Sequence, residues 1–208
     1  MLDSTLATLL CSRLCHDLVS PVGAIVNGLE ILESESESEF QRQVFDLLSN
    51  SAGETSNRLK FFRLAFGMAG EFDEEIDSEE LEVALCGYFS ASKINVVWKI
   101  NKCMIARARA KYFLNAALIL GESIIREGVI EVIYDPDTES SMIRAEAERL
   151  NFDENARKAL LGEIEIDEVT ARYSPAYLAR LLAEEADLVL SLNDASEDAI
   201  ILSAKPIS

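Results

Sequence analysis

Apolar side chains recur every three or four residues through the first part of the chain, the spacing that keeps them on one face of a helix. This stripe comprises Leu6, Leu10, Leu14, Leu18, Val22, Ile25, Leu29 and Leu32. It predicts a helix from about Asp3 to Leu32. Pro21 lies inside that helix and has no N–H to donate to the carbonyl of Asp17, so we expect a kink there.

A second apolar stripe follows a turn rich in Glu and Ser at residues 33–39. It comprises Phe45, Leu48, Ala52, Thr55, Leu59, Phe62 and Phe66. Its alternating steps of three and four are typical of a four-helix bundle. The two stripes therefore predict an antiparallel helical hairpin, and the large phenylalanines predict that two hairpins associate as a dimeric four-helix bundle.

The pattern changes after a glycine-containing, acidic linker at residues 67–76. Helices are predicted at 78–90, 106–127, 154–161 and 175–186, and strands at 95–100, 129–135, 141–148, 188–192 and 199–204. We expect Ser174 to cap the last helix, with Pro175 in its first turn, and Cys86 and Cys103 to be small core residues. The prediction is an α+β fold: a helical hairpin (1–69), then an α/β sandwich (77–208) with helices on one face of a mixed sheet.

Composition narrows the classes of function. The formal net charge of −18, from 19 basic and 37 acidic residues, repels a phosphate backbone and argues against nucleic-acid binding. The four cysteines are too few and too scattered for a secreted disulfide framework. We identify neither a signal peptide nor an apolar run of about 18 residues. We therefore expect a soluble cytoplasmic protein that spans no membrane.

His16 is the only histidine in the chain. At about 100° per residue it points away from the first apolar stripe, so its ring is expected to face solvent or a visiting protein. The tract from His16 to Pro21 reads His, acid, hydrophobe, any residue, small polar residue, proline. It resembles the phospho-acceptor box of histidine kinases, although an exposed histidine without a function is the alternative.

This resemblance implies roles for the residues of the box. His16 would accept the phosphoryl group, because a neutral imidazole nitrogen is nucleophilic near neutral pH. Asp17 would accept a hydrogen bond from the ring, fix its tautomer and serve in acid/base catalysis. Ser20, one turn on, would either position a water for dephosphorylation or leave room for a partner. Arg13 would stabilise the phosphoryl group, contact a partner or be a solvated charge, and Asn27 is a second candidate for partner contact.

The chain departs from the kinases at the nucleotide site. Kinases use glycine-rich boxes that let the backbone approach the phosphates, and no Gly-x-Gly occurs here. Asn115 occupies the long helix as a magnesium-binding asparagine would, but no glycine follows the tract from Tyr134 to Asp137. We therefore expect Asn115 to be structural and the chain not to bind ATP.

The combination is similar to one narrower family, the alphaproteobacterial ChpT-type histidine phosphotransferases. Further matching tracts are Ala24–Leu29, Arg63–Gly67 and Ala176–Leu181. The resemblance implies a dimeric phospho-acceptor hairpin and a degenerate kinase-like ATPase domain. It also implies a relay from a receiver aspartate of a hybrid histidine kinase, through His16, to the receiver aspartates of response regulators, including a DNA-binding regulator of the cell cycle. The Mg²⁺ would belong to the partner receiver, and the chain would need no cofactor or metal of its own.

Three alternatives remain open from the sequence. The chain could be a phosphotransferring sensor kinase with an atypical nucleotide pocket. It could be an adaptor or inhibitor of a kinase that never carries phosphate. A metal or redox site at Cys11, Cys15 and His16 is the third, but it offers two thiolates on one face while the histidine projects about 100° away, so a zinc ion would need ligands from elsewhere.

Overall fold

The computed structural model describes residues 4–34, 38–67 and 75–207. Its first two elements are the long helices α1 (Ser4–Ser34) and α2 (Ser38–Ala65). Both agree with the predicted helices, and Pro21 lies inside α1. The helices pack closely at Gly28, where a Cβ atom would come within 2.8 Å of a Leu48 methyl carbon, so a larger residue would require the Leu48 side chain to move.

The rest of the chain forms an α/β sandwich, and the α+β fold is confirmed. In order its elements are β1 (Glu75–Asp77), α3 (Ser78–Phe89), β2 (Lys93–Lys99), β3 (Met104–Ala106), α4 (Arg107–Glu122), β4 (Glu127–Asp135), β5 (Ser140–Glu146), α5 (Glu154–Leu161), a 3₁₀ turn (Ile166–Glu168), α6 (Ser174–Glu185), β6 (Leu188–Ser196) and β7 (Ala199–Pro206). Five strands form one mixed sheet in the order β2-β4-β5-β7-β6. The pair β2/β4 is parallel and the other pairs are antiparallel.

Helices α4 and α6 lie on the buried face of the sheet, where alternate strand residues such as Ile130 and Val132 are fully buried. The hairpin joins this core. Phe61 and Phe62 of α2 are buried, and the ring of Phe61 lies 4.4 Å from that of Tyr88 on α3, centroid to centroid. Leu6 belongs to the same cluster. The open end of the hairpin and the sandwich therefore share one hydrophobic core.

Several predicted boundaries and placements were wrong. Helix α4 ends at Glu122 rather than near residue 127, because Ile124 bridges to Leu150 and Arg126 adopts a left-handed φ of 77°. The short strands β1 and β3 pair with each other and were not predicted. The last two strands also extend further than expected, leaving a tight turn at Glu197 and Asp198.

Two residues play different structural parts from those predicted. Ser174 is the first residue of α6, not its N-cap, and its hydroxyl donates to the carbonyl of Ala171 at 2.8 Å. Pro175 lies in the first turn, as expected. Cys86 is exposed rather than buried, because Leu85 and Phe89 occupy the inner face of α3. Cys103 is partly buried against the core.

Two further expectations concern the apolar character of α1 and the segments that follow α1 and α2. An 18-residue stretch of α1 between Ser4 and Glu33 has a mean hydropathy of 1.4, so this helix is apolar enough to cross a membrane by length and composition alone. The expectation that no such run exists was therefore wrong, but one such helix is weak evidence for a membrane span, because the core helix of a soluble protein passes the same test. The turn predicted at 33–39 was too long, because α1 runs to Ser34 and α2 begins at Ser38; only residues 35–37 of it lie outside the described residues. Residues 68–74 of the predicted linker also lie outside them, so the boundary between residues 69 and 77 stays a prediction.

Candidate functional site

His16 lies in the middle of α1 with 86% of its side chain exposed, as the helical phase predicts. It faces a cleft of about 680 Å³ between the hairpin and the segment that precedes α6. The cleft is lined by Ser12, Arg13, His16, Asp17, Glu122, Thr170, Ala171 and Arg172. The predicted acceptor thus lies where the two parts of the fold meet.

The His16 ring is held through one of its nitrogens. Nδ1 lies 3.1 Å from Oδ1 of Asp17, whose side chain is 9% exposed. An ionised carboxylate only accepts hydrogen bonds, so this contact favours the tautomer with the proton on Nδ1. The lone pair is then on Nε2, the nitrogen that Asp17 does not engage. The placement of Asp17 beside the ring agrees with the prediction.

Asp17 is itself fixed from two sides. Its Oδ2 accepts a hydrogen bond from Nε of Arg13, one turn earlier on α1, at 2.8 Å. Its backbone carbonyl accepts from Nη1 of Arg58 on α2, at 2.6 Å. Arg58 is held in turn by Glu54, one turn away on α2, at 2.6 Å. The carboxylate beside His16 therefore has little freedom to rotate.

Arg13 is buried, with 8% of the residue exposed, and the expectation of a solvated charge was wrong. The reason is that the segment before α6 and the end of α4 cover this side of α1. Nη1 donates to the carbonyl of Arg172 at 3.2 Å, and Nη2 forms an ion pair with Glu122. The predicted contact of Arg13 with a partner stays a prediction.

Ser20 and Asn27 are both exposed on α1. Ser20 lies one turn from His16 and shares its face. Asn27 lies three turns away, about 16 Å along the helix. The structure thus brings His16, Asp17 and Arg13 into one cluster, with Ser20 beside it, and places Asn27 outside the cleft.

Sequence reasoning missed four residues of this cluster. They are Arg58, Tyr88, Glu122 and Arg172. Tyr88 lies under the guanidinium of Arg58, and burial raises the pKa of Tyr88, with a further rise from the charge of Asp17. Glu54 and Arg58 are four residues apart, the spacing of a helical ion pair, and this was the one local sequence signal that pointed to a residue of the cluster. Glu122 lies 109 residues from Arg13, so no sequence pattern connects them.

Asn115 is fully buried, and its side-chain amide donates to the carbonyls of Ala65 and Lys111 at 3.0 and 2.9 Å. These bonds give it a structural role, as predicted. Cys11 and Cys15 are exposed on α1. Within the described ranges, no three side chains of His, Cys, Asp or Glu are grouped so that they could hold a metal ion.

Comparisons with known proteins identify the family. Residues 78–198 match the model of the histidine phosphotransferase C-terminal domain. The chain is 34% identical to the protein phosphotransferase ChpT of Brucella abortus (strain 2308) over 202 residues, which cover 96% of this chain and 95% of that protein. It also superposes on the 1.7 Å structure of a bacterial phosphotransferase with a TM-score of 0.84 and 31% identity, covering 99% and 98% of the two chains. The chain therefore belongs to the ChpT-type family of histidine phosphotransferases, which act in phosphorelays.

Proposed function

We propose that His16 is the residue that carries the phosphoryl group in this relay. The observation that carries the proposal is the contact between Nδ1 of His16 and buried Asp17, which leaves Nε2 of an 86% exposed ring as the nucleophile. The donor is the aspartyl phosphate of a hybrid kinase's receiver domain. The acceptors are the receiver aspartates of response regulators.

The transfer is a direct displacement at phosphorus. The Nε2 lone pair attacks in line, the N–P bond forms, and the P–O bond to the aspartyl carboxylate breaks, so the carboxylate leaves with the electron pair. The proton remains on Nδ1, and the negative charge of Asp17 balances the positive charge that develops on the ring. The second transfer runs the same step in reverse, with a new carboxylate as nucleophile.

This chain supplies the nucleophile, its orientation and a docking surface. The Mg²⁺ that neutralises charge on the phosphoryl oxygens is bound by the receiver domain. Because the cleft has α1 as one wall and residues 170–172 as the other, a docked receiver contacts both parts of the fold. Ser20 and Asn27 extend the exposed face of α1 that receives the partner.

We also propose a homodimer. Toward the turn between α1 and α2, the hairpin exposes a patch of large apolar side chains that nothing else among the described residues covers. They are Val22, Val26 and Leu29 on one face of α1 and Phe45 on α2, each between 43% and 58% exposed. Packing this patch against a second copy forms the four-helix bundle and explains why α1 is so apolar. The location proposed for the protein is the cytoplasm.

Phosphotransfer profiling tests the main proposal. The chain is incubated with a panel of receiver domains of hybrid kinases, each carrying a radioactive aspartyl phosphate. Wild type is expected to gain an acid-labile, base-stable label, whereas His16→Ala, with an unchanged circular dichroism spectrum, gains none.

Two other results would contradict the proposal. A label from ATP and Mg²⁺ alone would indicate a kinase. No label from any receiver, although the receivers still bind the chain, would indicate an adaptor.

A further inference from the structure

The guanidinium of Arg13 joins three separate parts of the chain. Nε donates within α1 to Asp17, Nη1 donates to the carbonyl of Arg172 before α6, and Nη2 pairs with Glu122 at the end of α4. All three nitrogens are therefore used, each by a different element. Through Arg13 the described sandwich therefore reaches the His16–Asp17 pair by a continuous series of hydrogen bonds.

The burial of these groups shows that the geometry is constrained. The side chains of Arg13 and Asp17 are both 9% exposed, and that of Glu122 is 30% exposed. Charges withdrawn from water are stable only when their partners hold them in good geometry. Removing the charge of Glu122 therefore releases Nη2 and loosens the hold on Arg13, the residue that fixes Oδ2 of Asp17.

The consequence extends to the ring of His16. Asp17 offers Oδ1 to the ring because Oδ2 is engaged by Arg13. If Oδ2 is released, the carboxylate can rotate, and the preference of the ring for a proton on Nδ1 weakens. The two imidazole tautomers are close in energy when nothing outside the ring selects between them, so this selection depends on the hydrogen bond.

We propose that Glu122 and Arg13 are positioning residues for the acceptor. The sandwich acts through Glu122, Arg13 and Asp17 in turn to keep the proton on Nδ1 of His16 and the lone pair on Nε2. This inference rests on the proposed role of His16. It gives the sandwich a part in the chemistry of transfer, in addition to its part in docking.

A single histidine makes the test direct, because the imidazole nitrogens of the whole chain give one pair of signals. Long-range proton–nitrogen NMR of the untagged full chain reports the tautomer when it is recorded at a pH at which the imidazole ring is neutral. Wild type is expected to be mainly the Nδ1–H form. Glu122→Gln keeps an acceptor but loses the charge, and Glu122→Ala loses both. The Nδ1–H fraction should therefore fall in the order wild type, Gln, Ala.

The rate of transfer from a phosphorylated receiver should fall in the same order, by on the order of tenfold for Glu122→Ala, since misplacement of about 1 Å can cost up to about 100-fold. Glu184→Gln is the matched control, because Glu184 pairs with Arg180 on the surface of α6. It should change neither tautomer nor rate. If Glu122→Ala does not fold, the tautomer and the transfer rate of Glu122→Gln test the inference alone.

The outcomes separate this inference from the proposed function. An unchanged tautomer and rate in Glu122→Gln, with transfer abolished in His16→Ala, would overturn the positioning role and leave His16 as the acceptor. Transfer that persists in His16→Ala would overturn the proposed function itself. A loss of rate in Glu122→Gln with an unchanged tautomer would assign Glu122 to docking and also reject the positioning role.

Discussion

The side-chain amide of Asn115, in the middle of α4, donates a hydrogen bond to the carbonyl of Ala65, the last residue of α2, at 3.0 Å. The last carbonyls of a helix have no partner within the helix. The neighbouring backbone N–H groups of Phe66 and Gly67 bond to Phe62 and Arg63 instead. Asn115 thus gives the Ala65 carbonyl a donor and joins the hairpin to the sandwich.

Asn115→Ala is expected to lower the free energy of unfolding by about 1–3 kcal/mol, because it removes the amide that donates to the carbonyl of buried Ala65. Urea denaturation followed by circular dichroism measures the change. The control is Asn193→Ala, which removes an exposed bond to Ser191 and should cost within about 0.5 kcal/mol. Equal stabilities of the two variants would contradict the structural role of Asn115.

Phe45→Glu is expected to separate the proposed dimer, since Phe45 is the most exposed side chain of the apolar patch on the hairpin. Light scattering after size-exclusion chromatography should give twice the chain mass of 23.0 kDa for wild type and the single mass for the variant. Gln43→Glu adds a negative charge at a nearby exposed position and should remain dimeric. A wild type that already elutes as a monomer would refute the four-helix bundle.

Ser20 is expected to matter for its small size rather than for its hydroxyl. Its side chain is exposed, so bulk water hydrates the hydroxyl and no fixed geometry for a hydrolytic water follows. Ser20→Ala should keep both the transfer rate and the lifetime of phosphohistidine within about twofold, whereas Ser20→Trp should slow transfer by tenfold or more, on the order of the effect of misplaced reactants. A longer phosphohistidine lifetime in Ser20→Ala would support the water-positioning role instead.

Cys86 is expected to react slowly for an exposed thiol. Burial of part of its side chain raises the pKa of Cys86, and the charge of Glu82, one turn earlier on α3, raises it further. Less thiolate is therefore present near neutral pH. Glu82→Gln should increase the alkylation rate by about 1.5- to 2.5-fold, since a like-charge pair at this spacing costs about 0.2–0.5 kcal/mol. Mass spectrometry of the iodoacetamide-treated chain measures this.

The control for that experiment is Glu80→Gln, which removes a charge from a different face of α3. Its alkylation rate at Cys86 should equal that of wild type. An equal acceleration in both variants would show that the effect comes from overall charge and not from the neighbour of the thiol.

The sequence predicted those features that local periodicity determines. Apolar residues at every third or fourth position located α1 and α2, and the position of His16 opposite the stripe correctly predicted its exposure. The adjacent Asp17 could also be assigned, because a neighbour in sequence is a neighbour in space. Strand alternation was sufficient to locate the five strands of the main sheet.

What could not be predicted depends on contacts between distant parts of the chain. Arg13 is a charged residue outside the apolar stripe of α1, so the sequence gives no sign that it is buried. It is buried because Glu122 and Arg172 cover it. Three-residue strands such as β3 are too short to show alternation. Cys86 was placed in the core on its residue type, whereas its phase on α3 relative to Leu85 decides its exposure.

The two walls of the cleft have an evolutionary consequence. One wall is the helix that carries the histidine. The other wall, residues 170–172, is encoded more than 150 residues later and includes exposed Thr170 and Arg172 side chains. If a receiver docks in the cleft as proposed, mutations in this second wall would alter which proteins are recognised and leave the acceptor helix intact. The partner of the signalling step could then change during evolution while its reactive centre is kept.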